Sequence, residues 1–296
     1  MFNFIKFTPL YFLLSGLIIL PGLISLALFG LKPGIDFTGG SLLELHFADN
    51  QTITQQNVQE TLGDAYTFSS IQFTPDRSLI IRSQELSPEE HQQILSALSD
   101  HYGQVEEVRF EAVGPTLGQQ LLQKTYVAIF LAATAILFYV AWQFKELKYG
   151  VCAVLAMLHD TLVVLGIFSL LGHFYGVEID TLFVTAVLTI LSFSVHDTIV
   201  VYDRIRESLR HHRGASYIQI VNKAIVETLS RSINNSMTII FMLTALYLLG
   251  GSTTKWFVFA LLIGTITGTY SSTFTAAPLL VAWERLTASK RFRFRR

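Results

Sequence analysis

The chain has 296 residues, of which 51% are apolar and only 15% charged, with a net charge of −1. A soluble domain carries about 25% charged residues, so the composition excludes an ordinary water-soluble enzyme and points into a membrane. The single cysteine, Cys152, lies in an apolar run and excludes an intramolecular disulfide framework; it reads as a small core- or lipid-facing residue.

Spanning the hydrocarbon core takes about 20 apolar residues in a helix. Six stretches qualify: 10–31, 126–142, 150–171, 181–202, 231–249 and 256–283. The first is too long for a signal-peptide core and no Ala-x-Ala-like site follows it, so it reads as a retained helix, bent near Pro21-Gly22. The segment 34–124 follows. Ser41-Leu-Leu-Glu-Leu-His-Phe47 alternates like a strand, and 54–62 has helical spacing behind a threonine cap. Strands at 67–73 and 78–83 join through a turn at Pro75-Asp76. Ser87-Pro88-Glu89-Glu90 opens a helix with the cap, proline and acidic residues that its N-terminus favours, and 105–113 makes a last strand. The β-α-β-β-α-β order predicts a ferredoxin-like α+β domain, a scaffold that carries no implied chemistry. The predicted class is thus a polytopic α-helical membrane protein: six spans with this small domain between the first and second. Its regions are 1–33, the N-terminus and first span; 34–124, the extracytoplasmic domain; 125–284, the five-span bundle; and 285–296, a basic tail.

Basic residues set the orientation. Lys6 precedes the first span, Lys145 and Lys148 separate the second and third, and Arg204, Arg206, Arg210, Arg213 and Lys223 fill the connection between the fourth and fifth. The alternate connections are poor in lysine and arginine: 172–180 has none and 250–255 has Lys255. Both termini are therefore expected in the cytoplasm, and 34–124 outside. That outer segment is acidic, with Arg77, Arg82 and Arg109 outweighed by Glu44, Asp49, Glu60, Glu89, Glu90, Glu106 and Glu107, which excludes nucleic-acid binding there. The basic tail reads first as an orientation signal resting on anionic lipid and second as a partner- or RNA-binding patch.

Two carboxylates stand inside the spans in the same tripeptide, His159-Asp160-Thr161 and His196-Asp197-Thr198. An aspartate at the centre of a spanning helix costs roughly 2.5–3.5 kcal/mol on insertion scales, so such groups pair, line a polar path or titrate. Ser194, Asp197, Val201 and Arg204 form one ridge of the fourth span, and His196 continues an adjoining polar stripe through Thr185, Thr189 and Ser192, so this side is expected to face the bundle interior. Arg231, with Asn234, Asn235 and Thr238 on its side of the fifth span, is placed at the depth of Asp197, so an Asp197–Arg231 pair is expected, either a static bridge or a switch. Asp160 lies nearer mid-membrane as a second relay group or a structural one. His159 and His196 titrate in the physiological range or simply pack. Asp180 is placed to cap the fourth span. Gly39-Gly40 permits a positive-φ turn, and Gly264 and Gly268, one helical turn apart, allow close approach of another span, with Pro278 bending the same helix further on. No phosphate-binding loop, metal-spaced His/Cys set or nucleophile motif is present, which speaks against enzymatic chemistry.

Several phrases together resemble one family. Gly34-Ile-Asp-Phe-Thr-Gly-Gly-Ser41 after a single span, Val113-Gly-Pro-Thr-Leu-Gly118 before the second, Ser194-Val-His-Asp-Thr-Ile-Val-Val-Tyr-Asp-Arg-Ile-Arg-Glu207 in the fourth, and the small-residue run 264–272 in the sixth are similar to those of the SecF family. SecF is the smaller subunit of the bacterial SecDF protein-export complex, in the resistance-nodulation-division superfamily. The resemblance covers essentially the whole chain. It implies a subunit that uses proton-motive force to promote preprotein translocation and release at the bacterial plasma membrane, with protons as coupling ion and no other cofactor. It implies an obligate SecD-like partner, the SecYEG translocon, and SecA and YajC/YidC-like proteins nearby, with Asp197 and Arg231 matching charged positions used in proton conduction. A small-molecule or lipid exporter of the superfamily, and a non-conducting assembly subunit, are the alternative classes.

Overall fold

A computed structural model describes residues 3–47, 54–62, 68–73, 78–211 and 214–293. The chain divides into two compact units, one made of residues 1–32 and 127–296 and the other of residues 33–126. The turn expected at Pro75-Asp76, Arg213 and the last three residues of the basic tail lie outside the described residues.

In the smaller unit, a one-turn helix α2 (Ile35–Thr38) leads into β1 (Gly40–Phe47), followed by α3 (Gln55–Leu62), β2 (Phe68–Phe73), β3 (Ser78–Ser83), α4 (Pro88–Tyr102) and β4 (Val105–Val113). The sheet order is β2-β3-β1-β4 and every pairing is antiparallel. The two-residue period of β1 sends Leu43, Leu45 and Phe47 to one face, where they meet Leu79 and Ile81 of β3, Val58 and Leu62 of α3, and Ile94 and Leu98 of α4. Leu45, Val58, Leu79, Ile94 and Leu98 are fully buried, and each such side chain contributes about 1.5–3 kcal/mol of transfer free energy. The ends of the helices are specified locally. Thr54 Oγ1 accepts from the Asn57 amide at the start of α3, and Ser87 and Glu90 form a reciprocal capping box on α4. Gly39 and Gly40 both have positive φ, +74° and +121°, and a Cβ on Gly40 would lie 2.5 Å from the Ser83 carbonyl oxygen. Only glycine can turn the chain there.

Among the described residues six helices are long and apolar enough to cross a membrane: Phe4–Leu28, Pro115–Phe144, Leu147–Tyr175, Thr181–His211, Tyr217–Leu249 and Thr253–Thr287. They contain α1 (Thr8–Leu28), α5 (Pro115–Phe144), α6 (Leu147–Tyr175), α7 (Thr181–His211), α8 (Tyr217–Leu249), and α9 (Ser252–Ser271) joined to α10 (Ala277–Arg293). Each predicted span overlaps one of these, although the first is predicted to run to residue 31 and its helix ends at Leu28, and the fifth begins well before residue 231, so Arg231 lies mid-helix rather than at an entrance.

Helices α6, α7 and α9 form the centre. Two seams of constant offset show which helices run parallel. Ser15 meets His159, Gly22 meets Gly166 and Ser25 meets Ser169, each across the same interval of the chain. A Cβ on Gly22 would lie 2.8 Å from the Gly166 Cα, so α1 and α6 touch backbone to backbone. On the other seam Gly264 lies over Ile190, Gly268 over Ser194, and Ala276 accepts from Tyr202. A Cβ on Gly264 would collide with the Ile190 side chain, and one on Gly268 would come within 3.3 Å of the Ser194 Cα. Small residues let the two backbones approach where lipid gives no hydrophobic reward for association. The expected bend at Pro278 takes a specific form, a π turn over Ser272–Ala276 immediately before the proline. Proline has no N–H to give to the preceding turn, and a wider turn absorbs the missing bond.

Candidate functional site

Asp160, on α6, is fully buried. Its Oδ2 accepts the Ser194 hydroxyl of α7 at 2.6 Å and the Ser271 hydroxyl of α9 at 2.6 Å, while Oδ1 faces His159 Nδ1 at 3.0 Å. The other ring nitrogen, His159 Nε2, is 2.9 Å from Ser15 Oγ on α1. Ser15 lies 3.4 Å from the Tyr270 hydroxyl, which donates to the Tyr11 carbonyl at 3.0 Å. One carboxylate therefore gathers α6, α7 and α9, and through its histidine α1. Of these partners Ser15 and Tyr270 were not singled out from the sequence. The signal for Ser15 was present, a small hydroxyl side chain in the apolar run Leu10-Tyr-Phe-Leu-Leu-Ser15, but nothing along the chain says which helix it meets.

Asp197, on α7, is buried at 4% exposure. Its Oδ2 accepts the Ser232 hydroxyl of α8 at 2.6 Å. The expected Asp197–Arg231 pair is not formed: Arg231 is exposed, and its neighbour Ser232 takes the inward position. Successive helical residues point about 100° apart, so only one of the two can reach Asp197. The same rotation corrects the reading of the α7 polar stripe. Thr185, Thr189, Ser192 and His196 are exposed on the outside of this chain's bundle, as are Asn234, Asn235 and Thr238 of α8. The adjoining ridge does face inward as expected, with Ser194, Asp197 and Val201 buried and Thr198 beside them. Arg204, further along that ridge, pairs with Glu207 and Glu227. Between α8 and α9, Thr269 donates to Ser236 at 2.6 Å. Asp180 caps α7 as expected, accepting from the Phe183 amide at 2.7 Å.

Six apolar helices around two buried carboxylates define a multi-pass membrane protein, and comparison with known proteins gives the class. Residues 93–286 match the family described as "Protein export membrane protein SecD/SecF, C-terminal", and residues 24–50 match the "SecD/SecF GG Motif", which takes in the Gly39-Gly40 turn. The chain is 46% identical to the protein translocase subunit SecF of Thermobaculum terrenum, over 96% of this chain and 94% of that one. It is 40% identical to that of Anaerolinea thermophila, again over 96% and 94%. A crystal structure of SecDF from Thermus thermophilus, titled a translocon-associated membrane protein, superposes with a TM-score of 0.83 at 31% identity, covering 96% of this chain. This chain spans 39% of that longer polypeptide. The chain belongs to the SecF family of protein-export membrane proteins, and its role is in Sec-dependent protein export.

Proposed function

We propose that this chain is the SecF half of a proton-driven export machine, and that Asp197 is a residue whose protonation the machine uses. The observation that supports this most is the setting of Asp197: a buried carboxylate in a spanning helix whose partner is a neutral hydroxyl. A permanently ionised carboxylate there needs a cation or water, whereas a neutral one is inexpensive to bury. Proton exchange at Asp197 shifts α7 against α8. The membrane potential supplies about 2.3 kcal/mol per charge per 100 mV, enough to bias a helix shift held by one or two hydrogen bonds. In this reading the chain acts as a proton-coupled translocase subunit rather than an enzyme, and protons are its coupling ion.

The second half of the machine is a SecD-like subunit. Arg231, Asn234, Asn235, Thr238 and the Thr185–His196 stripe are exposed on spanning helices, and polar groups at membrane depth belong against protein or water rather than lipid. Arg231 thus serves a carboxylate of the partner or a water-filled cleft between the subunits, and His196 is likewise exposed on α7. Residues 33–126, a ferredoxin-like domain by their β-α-β-β-α-β order, sit outside the membrane in this reading and engage emerging preprotein. Both termini are cytoplasmic, toward SecYEG, SecA and YajC/YidC-like proteins.

Asp197→Asn, assembled with its SecD-like partner in energised vesicles, is expected to insert and assemble normally and to lose proton-stimulated preprotein release. Full release by that variant would overturn the proposal.

A further inference from the structure

We propose that His159 and Asp160 form a second proton-binding site, separate from Asp197, whose occupancy sets the grip on the sixth span at its π turn. This rests on the proton-driven reading above and names a site and a moving part within it.

The donors along the chain of hydroxyls define the proton's place. Tyr270 donates to the Tyr11 carbonyl, and Ser15 donates to Tyr270. Ser15 must then accept from His159, so Nε2 carries hydrogen. Nδ1, facing Asp160 Oδ1 at 3.0 Å, makes a hydrogen bond only if one more proton lies between them. Imidazole and carboxylate together then hold two protons and no net charge, the form that costs least in a membrane interior. Release of one proton breaks the Nε2–H bond. That proton passes to Ser15 Oγ as the serine's own proton moves to Tyr270, and the partly exposed Tyr270 hydroxyl gives up its proton to a water molecule. The shared proton, held on the Asp160 carboxyl until then, moves across the hydrogen bond to Nδ1, and Asp160 is left with the negative charge. No other titratable group bonds to the pair among the described residues: α1 presents Ser15, α7 presents Ser194, and α9 presents Ser271 and Tyr270. Asp197, three residues beyond Ser194, is bonded to α8 instead.

The other oxygen of Asp160 is the readout. Ser271 is the last residue of α9 and the π turn starts at Ser272. The far end of that turn is held by Tyr202, whose hydroxyl donates to the Ala276 carbonyl at 3.2 Å. Within it, Thr275 Oγ1 is buried and makes no hydrogen bond. The turn is thus a loosely bonded joint clamped at both ends, and only the Asp160 clamp depends on charge. A hydroxyl bound to an ionised carboxylate is held about twice as strongly as one bound to a neutral acid. Proton release tightens α9 against α6 and α7; proton uptake loosens it.

The test uses the full chain with its SecD-like partner in lipid vesicles, with protons as the probe. Infrared difference spectra between acidic and neutral pH are expected to show a protonated carboxyl that Asp160→Asn removes, Asp197→Asn retains and Ser271→Ala shifts in frequency. After a pH jump, Tyr270→Phe should slow the appearance of that band without changing its final size. Amide hydrogen exchange across residues 268–276 should be faster at acid pH, and roughly tenfold faster at neutral pH in Asp160→Asn, as expected for one charge-assisted bond lost. Tyr202→Phe should loosen the same segment equally at both pH values. A carboxyl spectrum unchanged by Asp160→Asn, or exchange across 268–276 indifferent to both pH and Asp160→Asn, would overturn the inference. If both readouts respond while export proves independent of protons, the second site stands and the proton-driven reading fails.

Discussion

Asp160 receives two serine hydroxyls and an imidazole, whereas Asp197, in the same tripeptide one helix on, receives one serine hydroxyl. The repeated His-Asp-Thr and its buried setting were legible from residue type alone. The partners were not, because each comes from another helix and depends on rotation about the helix axis to within one residue. Ser232 in place of Arg231 is that one-residue difference, and the exposed His196 stripe is the same error seen from α7. Hydroxyls on one side of a spanning helix mark a face that is not bathed in lipid, but do not say whether it is covered by its own bundle or by another chain. Ser232→Ala leaves a buried carboxylate without its donor and should lower the stability of the purified complex by about 1–3 kcal/mol. Ser232→Thr, which keeps the hydroxyl, should restore most of that in thermal melts. Arg231→Ala is expected to leave this chain's stability nearly unchanged while weakening co-purification of the partner. Equal retention of partner would place Arg231 outside that contact.

Element ends read well from sequence wherever a cap is short-range. Ser87 with Glu90 on α4, Thr54 on α3 and Asp180 on α7 all make the bonds that their spacing calls for, because donor and acceptor lie within four residues. The π turn was out of reach: Pro278 announces a disturbance, but a kink and a widened turn satisfy the same missing N–H. The α4 cap has a pH signature. Backbone and side-chain hydrogen bonds from Ser87 hold the Glu90 carboxyl below its ordinary value of 4.5. A carboxylate with a depressed folded pKa contributes fully above its unfolded value and loses that contribution as pH falls through the folded one. Hydrogen exchange in the first turn of α4 should therefore rise as pH drops below about 4.5, after correction for intrinsic rates, and Glu90→Gln should flatten the response. Ser87→Ala should cost about 1 kcal/mol at any pH above that window. In the α7–α9 seam, Gly264→Val forces a branched side chain into Ile190 and is expected to destabilise by about 1–3 kcal/mol. Ile190→Ala in the same chain should recover part of it, which melting of the double variant would reveal.

Across the whole molecule, six spans and a small sheet with two helices were readable from length, period and punctuation. The grouping of α6, α7 and α9 at the centre was not, since apolar runs of similar strength do not rank themselves by burial. In the proposed assembly, the exposed polar faces of α7 and α8 are where a second six-span unit would supply what this chain lacks. The α1–α6 seam has a further consequence. Ser25 and Ser169 touch at 2.7 Å although 144 residues separate them. At the usual rate of synthesis, about 5–20 residues per second, the first helix waits roughly 7–30 s in the bilayer before the helix that receives its glycine and serines has been made. Throughout that interval α1 is an unattached span, open to chaperoning, to lipid contacts or to capture by the insertion machinery. A chain carrying both Ser25→Cys and Ser169→Cys should form its cross-link only once synthesis has passed the end of α6. Nascent chains halted before α6 should remain uncrosslinked, with the thiol introduced on α1 still open to alkylation.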